Sequence, residues 1–225
     1  MKITYLGHAS LSIEVAGKNI IVDPFITGNE LAKNIDINSL KADYILVTHA
    51  HQDHILDVEA IAKRTGAKVV SNFEIINHFA ELGIEGHPMN HGGTWAFDFG
   101  KVTYTNAIHS SSFPDGSYGG QPGGFIIESD EGNIYIAGDT ALTMDMKLIP
   151  LQTSIDLAVL PLGDNFTMGI ESAAIASDYV ECNRVLGYHF DTFGYIVIDH
   201  KKAVASFKEK GKELTLLEIG GSLDV

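Results

Sequence analysis

Four side chains able to bind a metal ion fall within one short segment of the chain, at 49–54. They are His49, His51, Asp53 and His54. Neutral imidazole and carboxylate are ligands of zinc and related divalent ions, and catalytic sites of this kind keep a coordination position open for water. His49 and His51, as alternate residues, can point the same way, whereas Asp53 and His54 turn toward a neighbouring position. The spacing predicts a site for two metal ions, and the alternative is a polar loop that happens to be rich in histidine.

Each candidate ligand follows a predicted strand. Residues 44–47 form a continuous apolar run, which is typical of a strand covered on both faces, and Thr48 then opens the loop. Three later runs also end at metal-ligand types, at His109, Asp139 and His189. Strand ends are where such sites gather. The sequence therefore places further candidate ligands beside the first segment.

In this order, the segment His-x-His-x-Asp-His at 49–54, then His109, Gly138-Asp139-Thr140 and His189, resembles the metallo-β-lactamase superfamily over nearly the whole chain. The resemblance implies an α/β (α+β) fold, a four-layer αββα sandwich made of two similar halves. We expect one domain over 1–225, because no linker rich in proline, serine or charge divides the chain.

Two shorter motifs narrow the resemblance. Gly7-His8-Ala9-Ser10 and Asp23-Pro24-Phe25 resemble the branch of small metal-dependent hydrolases that includes ascorbate-6-phosphate lactonase and the phospholipase D type enzymes acting on N-acyl lipids. The resemblance implies that a first metal is bound by His49, His51 and His109. It implies that a second metal is bound by Asp53, His54 and His189, and that the carboxylate of Asp139 bridges both.

We predict that Asp53, besides its place as a ligand, orients the nucleophile. Four other residues are weaker candidates. We predict that His8 lines the pocket as a hydrogen-bond donor or proton source, with a purely structural role as the alternative. Asp23 is a candidate acceptor for a ligand histidine's outer N–H, although Asp before Pro is also ordinary turn chemistry. Asn165 and Thr167 are candidates for substrate contact, with capping of the following helix as the alternative.

Hydrophobic periodicity places the elements that would carry these residues. Predicted strands cover 3–6, 11–15, 20–23, 44–47, 95–99, 102–107, 125–129, 134–137, 157–161, 184–188 and 214–219. Predicted helices cover 56–64, 74–82, 171–182 and 200–210. This mixture suits two packed sheets covered outside by helices.

Composition limits the class of partner. The chain has 225 residues, 45% of them hydrophobic, enough for a substantial core, and a formal net charge of −14. We expect no nucleic-acid partner, because phosphate backbones demand a basic surface. We also expect no membrane partner, since Met1 leads directly into a strand pattern without an apolar leader. The single Cys182 fits a reducing compartment, so a cytoplasmic location is expected; homo-oligomer formation is left open.

The predicted chemistry is hydrolysis. A water bound to divalent metal has its pKa lowered toward neutrality, so a metal-bound hydroxide is available at pH 7. We expect two metal ions, Zn²⁺ first and Mn²⁺, Ni²⁺ or Fe²⁺ as alternatives. The nearest resemblance implies a small-molecule substrate such as a lactone or a phosphorylated sugar acid ester. The alternatives are a phosphodiesterase and a mononuclear iron redox enzyme of the same superfamily. Position 51 is His, whereas the redox-active diiron members carry Glu there, so hydrolysis is favoured over redox chemistry.

Overall fold

Two mixed β-sheets and five helices are formed in a computed structural model that describes all of residues 1–225. The strands are β1 Lys2–Gly7, β2 Ser10–Val15, β3 Lys18–Val22, β4 Tyr44–Leu46, β5 Lys68–Asn72, β6 Gly86–Met89, β7 Thr94–Phe97, β8 Gly100–Asn106, β9 Gly123–Ser129, β10 Gly132–Ile136, β11 Leu157–Pro161, β12 Arg184–Tyr188, β13 Glu213–Thr215 and β14 Ser222–Asp224. The helices are α1 Gln52–Ile55, α2 Val58–Thr65, α3 Phe73–Glu81, α4 Ile170–Tyr179 and α5 His200–Glu209. None of these helices is long and apolar enough to traverse a lipid bilayer.

The two sheets have matching topologies. The first runs β14-β1-β2-β3-β4-β5-β6 and the second β13-β12-β11-β10-β9-β8-β7. Counted from β14 in the first sheet and from β7 in the second, three antiparallel pairings are followed by three parallel ones. The chain is therefore built of two similar halves, although no repeat is visible in the sequence.

The sheets pack face to face over an apolar layer. Leu11 and Ile13 of the first sheet lie in one buried cluster with Tyr104, Phe125 and Tyr188 of the second. Fully burying one such side chain contributes about 1.5–3 kcal/mol, so this shared layer is a major source of the stability of the fold. The alternation of apolar residues along β2 and β8 directs one face of each strand into this layer.

Helices cover the outer face of each sheet. On the first sheet, Ile61 of α2 and Phe79 of α3 pack with the strand residues Ile45 and Val69. On the second, α4 and α5 pack with β10 and β11 through a separate buried cluster. The order helix, sheet, sheet, helix confirms the predicted four-layer αββα sandwich.

The strand directions bring the candidate ligands to one edge. β4 is parallel to its neighbours in the first sheet, and β10, β11 and β12 are parallel in the second. β8 runs the same way as β10, since each is antiparallel to β9. The loops that carry His49, His109, Asp139 and His189 leave the carboxyl ends of these strands. The ends of parallel strands are where sites of α/β proteins assemble.

Several sequence-based element bounds are corrected by the structure. The helix predicted for 171–182 ends at Tyr179, so Cys182 lies beyond it, buried and unpaired. The strand predicted for 214–219 ends at Thr215, because only Arg184–Leu186 of β12 pairs with β13. Strands β5, β6 and β14 were not predicted. β14 has no fully buried residue, and β6 contains Pro88, so neither shows the apolar alternation that identifies a strand.

Candidate metal centre

The predicted ligands meet at the carboxyl edge of both sheets. Their donor atoms fall into three groups whose members all lie within 4.8 Å of one another. One group holds three histidines, one holds His8 with three predicted ligands, and the third joins the two through Asp139. The groups are His49, His51 and His109; His8, Asp53, His54 and His189; and His49, His54 and Asp139.

The first group lies mainly on the loop after β4. His49 is fully buried, whereas His51 and His109 are partly exposed. Nε2 of His49 lies 3.0 Å from Nδ1 of His51, and Nε2 of His51 lies 3.2 Å from Oγ of Ser110. The group is thus open to solvent on the side of His51 and His109.

The second group contains one accessible carboxylate among buried rings. The Asp53 side chain keeps 28% of its exposure, while His8, His54 and His189 are buried. Asp53 and His54 lie in the short helix α1, whose N-cap is His51. Asp53 is therefore the member of this group that faces the opening.

Asp139 lies between the two groups. Its Oδ2 is 3.0 Å from Nε2 of His189, 3.6 Å from Nε2 of His109 and 4.0 Å from Nε2 of His49. Its Oδ1 is 3.5 Å from Nε2 of His54. One buried carboxylate thus approaches rings of both groups, which is the placement expected of a bridging ligand.

Asp23 holds two of the histidines in fixed orientations. Its Oδ2 accepts a hydrogen bond from Nδ1–H of His54 at 2.8 Å and another from the Thr48 hydroxyl at 2.6 Å. Because that hydroxyl donates to Asp23, its oxygen accepts from Nδ1–H of His49 at 3.0 Å. Both rings are therefore oriented with Nε2 toward the centre, as histidine ligands bonded to an outer carboxylate are. The Asp23 backbone, with φ of 43°, is in the left-handed region.

His8 holds the Asp53 carboxylate. Its Nε2 lies 3.0 Å from Oδ2 of Asp53, and its Nδ1 lies 3.0 Å from the Thr192 hydroxyl. The ring packs against that of His189, with centroids 4.2 Å apart, and contacts Phe25 and Phe193 edge-on. This enclosed position gives His8 a defined contact with a predicted ligand, beyond a role in the local turn.

Burial and neighbouring charges set the protonation of these groups. Burial, followed by the charge of His189, lowers the pKa of His8 to about 4. Burial alone would raise the pKa of Asp139, but His189 and His54 outweigh it and hold that pKa well below its usual range. Burial alone would lower the pKa of His54, but Asp139 and Asp23 raise it well above its usual range. The buried carboxylates thus create a negative potential that favours a cation.

Unpaired buried atoms show that the centre fits a metal. Oδ1 of Asp139, Nε2 of His54 and both ring nitrogens of His189 are buried without a hydrogen-bond partner. Leaving such groups unpaired costs about 1–3 kcal/mol each, so native proteins rarely do it. Imidazole and carboxylate donors at this spacing are those that divalent transition metals require, which accounts for the missing partners.

Glycine is required where the chain enters Asp139. Gly138 has φ of +69°, and a Cβ there would lie 2.4 Å from the Gly123 carbonyl oxygen and 3.1 Å from Cβ of Thr48. Only glycine permits this approach of the second sheet to the loop of the first. Gly138 therefore determines how close Asp139 comes to His49.

A cavity of about 680 Å³ lies beyond the end of β11. Asn165 lines it with Asp164, Tyr195 and Lys202, whereas Thr167 does not. The Thr167 hydroxyl instead donates to the Met168 carbonyl. Neither Asn165 nor Thr167 caps α4; the N-cap is Gly169, the last residue of the same loop, and it makes no side-chain bond.

Sequence reasoning missed three hydroxyl groups around the centre. They belong to Thr48, Ser111 and Thr192. Ser111 is buried, accepts from the Ala50 amide and donates to the Gly119 carbonyl, which fixes the loop of His49 and His51. Thr48 and Thr192 could have been suspected because each lies within three positions of a predicted histidine ligand, but threonine is too common in loops for that signal to suffice.

Comparison with known proteins identifies the relatives of the chain. A family model described as Beta-lactamase superfamily domain matches residues 2–189. A UPF0173 metal-dependent hydrolase of Flavobacterium johnsoniae is 68% identical over 225 residues, covering 100% of both chains. A UPF0173 metal-dependent hydrolase of Christiangramia forsetii is 67% identical over 226 residues, again covering 100% of both.

A solved structure has the same fold. Igni18, a metallo hydrolase from the hyperthermophilic archaeon Ignicoccus hospitalis, superimposes with a TM-score of 0.90 at 35% identity, covering 100% of this chain and 97% of that one. The likeness extends over both sheets and therefore includes the edge at which the predicted ligands meet.

Proposed function

Because this chain belongs to the β-lactamase superfamily, as one of its UPF0173 metal-dependent hydrolases, we propose that it hydrolyses a small ester or lactone with two divalent metal ions. The observation that carries the proposal is the meeting of two donor groups around one buried carboxylate, Asp139. The ligands of the first ion are His49, His51 and His109, those of the second are Asp53, His54 and His189, and Asp139 binds both.

Zinc is the ion that these ligands suit first. Five imidazoles and two carboxylates are borderline donors with no thiolate among them, and Mn²⁺, Ni²⁺ or Fe²⁺ fit the same set less well. When bound, such ions supply Lewis acidity and a water of lowered pKa at neutral pH. The residues of the chain then have three tasks, which are to hold the donors, to exclude bulk water and to orient the reacting groups.

Asp53 and His8 orient the reacting groups. Oδ2 of Asp53 accepts the bond from His8 Nε2, whereas Oδ1 takes part in no hydrogen bond, so this partly exposed carboxylate can accept a proton from an attacking water. Because burial lowers the pKa of His8 to about 4, this ring stays neutral near pH 7 and acts as a hydrogen-bond donor. The aromatic rings of Phe25 and Phe193 shield it from water.

The cavity beyond β11 supports a polar, hydroxylated substrate. Its lining residues include none of the proposed ligands; the link to the centre is through the backbone, since a Cβ built on Gly163, which lines the cavity, would lie 2.4 Å from the His189 carbonyl oxygen. Asn165 and Lys202 offer hydrogen-bond donors there, alongside acidic residues. This lining suits a sugar acid lactone, or a phosphorylated sugar acid ester whose charge meets Lys202. The substrate is therefore proposed to be a small cytoplasmic molecule and neither nucleic acid nor lipid bilayer.

The test joins metal content to hydrolysis. Protein purified without a chelating column is assayed for metals by mass spectrometry, and then against aldonolactones, phosphorylated aldonolactones and bis(p-nitrophenyl) phosphate. Asp53→Asn is the test variant. Asp130→Asn is its matched control, because Asp130 is an exposed aspartate in the β9–β10 turn, far from the centre in the fold.

Two equivalents of zinc or manganese, with lactone hydrolysis lost in Asp53→Asn and retained in Asp130→Asn, would support the proposal. One equivalent of iron without hydrolysis would overturn it in favour of redox chemistry. Turnover of bis(p-nitrophenyl) phosphate alone would replace the lactone by a phosphodiester.

A further inference from the structure

Thr192 lies outside the predicted ligand set but is bonded to it through one ring. The hydroxyl of Thr192 is 3.0 Å from Nδ1 of His8, and Nε2 of the same ring is 3.0 Å from Oδ2 of Asp53. These three side chains come from segments 45 and 184 residues apart in sequence. They form one continuous hydrogen-bonded chain that ends at the proposed ligand.

The direction of each bond follows from the atoms. An ionised carboxylate only accepts, so Nε2 of His8 must carry the hydrogen in its bond to Asp53. In a neutral imidazole the other nitrogen then has a lone pair, and Nδ1 of His8 accepts from the Thr192 hydroxyl. The hydroxyl therefore favours the tautomer of His8 that can hold Asp53.

The loop around Thr192 is fixed, so the hydroxyl is held at this place. The Thr192 amide donates to the Phe190 carbonyl in a tight turn, and the Asp191 amide donates to the Ile196 carbonyl. The Asp191 carboxylate accepts from the Ile198 amide and pairs with His200 at 2.6 Å. A second acceptor of the Thr192 hydroxyl, the Phe190 carbonyl, is farther away at 3.3 Å, so His8 is the better partner.

We propose that Thr192 is a positioning residue whose hydroxyl selects the Nε2–H tautomer of His8 and thereby fixes Asp53 in the metal centre. This inference rests on the proposed role of Asp53 as a metal ligand. The only side chain of the centre that the Thr192 hydroxyl bonds is His8, which is not one of the proposed ligands, so Thr192 acts through His8.

A cavity beside Thr192 allows the hydrogen-bonding role of its hydroxyl to be distinguished from a packing role. Thr192 and His8 both line a cavity of about 370 Å³, together with Tyr5, Asp191 and Leu216. This space has room for water, whose share of liquid volume is about 30 Å³. A substitution that shortens Thr192 would admit a water able to donate to Nδ1 of His8, whereas a substitution that fills the same volume with a methyl group would not.

The test compares Thr192→Ser, Thr192→Ala and Thr192→Val. The readout is the dissociation constant for Zn²⁺, from competition with a chromogenic chelator, with urea unfolding to check that each variant is folded. We expect Thr192→Ser to match the wild type and Thr192→Val to bind Zn²⁺ about tenfold more weakly. Tenfold is the lower end of the loss of metal affinity seen when a residue that orients a metal ligand is replaced. Ala should lie between them. A packing role would instead leave Val nearest the wild type and Ala farthest from it.

A spectrum of the wild type tests the proposal without any change at Thr192. Nitrogen-15 shifts of the histidine rings in the zinc-loaded protein report each tautomer, with His8 assigned by the signals missing in His8→Gln. The Nε2–H tautomer is expected. An Nδ1–H tautomer, or a Val variant that binds zinc as tightly as the wild type, would overturn the proposal.

Failure of this inference is distinguishable from failure of the proposed function. If Asp53→Asn does not weaken zinc binding, the assignment of the centre fails and the role of Thr192 fails with it. If Asp53→Asn weakens binding while Thr192→Val does not, only the role of Thr192 is wrong.

Discussion

Oδ2 of Asp139 lies 3.0 Å from Nε2 of His189, and both side chains are buried at the edge where the two sheets meet. Asp139 also approaches His49 and His109 of the first donor group, whereas His189 belongs to the second group alone. The two residues are thus neighbours with unequal roles, and this difference can be measured.

Replacing Asp139 by Asn should empty both metal sites, because the carboxylate approaches donors of both groups. Replacing His189 by Ala should chiefly release the second ion, since its only acidic neighbour within ion-pair distance is Asp139. Metal content by mass spectrometry after dialysis checks this order. Equal loss of metal in the two variants would contradict the bridging assignment.

Removal of metal should destabilise the fold. Without metal, the buried carboxylates and unpaired ring nitrogens lose the cations that compensate them. A ligand present at one hundred times its dissociation constant adds about 2.7 kcal/mol to the free energy of unfolding. For a domain of this size that corresponds to a fall in Tm of about 5–10 °C on chelation. Thermal unfolding before chelation, after it and after re-addition of Zn²⁺ measures the effect, and Asp139→Asn should show little response to chelator.

Asp23→Asn should weaken metal binding about 10–100-fold without direct loss of a ligand. The carboxylate accepts on both oxygens, from the Thr48 amide at Oδ1 and from the Thr48 hydroxyl and Nδ1–H of His54 at Oδ2. Asparagine has a single acceptor oxygen, so its NH2 group would face one of these donors, and the His54 and His49 rings lose their fixed orientation. Zinc affinity from chelator competition checks the change.

Asp57→Asn is the matched control for that variant. Asp57 is also a buried aspartate that accepts three hydrogen bonds, from the amides of Ile26 and Thr27 and from the Thr27 hydroxyl, none of which lies in the metal centre. Both variants should lose stability, but only Asp23→Asn should lose affinity. A similar loss of affinity in both would mean that Asp23 acts through general stability alone.

Gly138→Ala should be far more damaging than Gly116→Ala. Both positions have positive φ, of +69° and +84°, so each alanine meets similar backbone strain of about 1 kcal/mol. At Gly138 the new Cβ would also overlap the Gly123 carbonyl, whereas nothing lies within 4 Å at Gly116. We expect Gly138→Ala to cost several kcal/mol in urea unfolding, on the order of an overpacked core site, and to release metal. Comparable stability of the two variants would show that the close approach is not needed.

The ligand types, their order and the strands that they follow could be predicted from the amino-acid sequence. Apolar runs at 44–47, 157–161 and 184–188 are buried strands in the structure, with ends shifted by at most one residue. These strands could be predicted because a strand that is buried on both faces has a nearly continuous run of apolar residues. The short strands β6 and β14 could not, since a few partly exposed residues carry no such pattern.

Which polar side chains hydrogen-bond to the histidines of the centre depends on the tertiary structure. Asp23 was a candidate from its position before Pro24, but its bond through Thr48 to His49 depends on how β3 and β4 pair. The contact of Thr192 with His8 depends on the packing of the second sheet's loop against the first. Local sequence fixes residue type and periodicity, whereas contacts between segments far apart in sequence arise from strand register and from the packing of the two sheets.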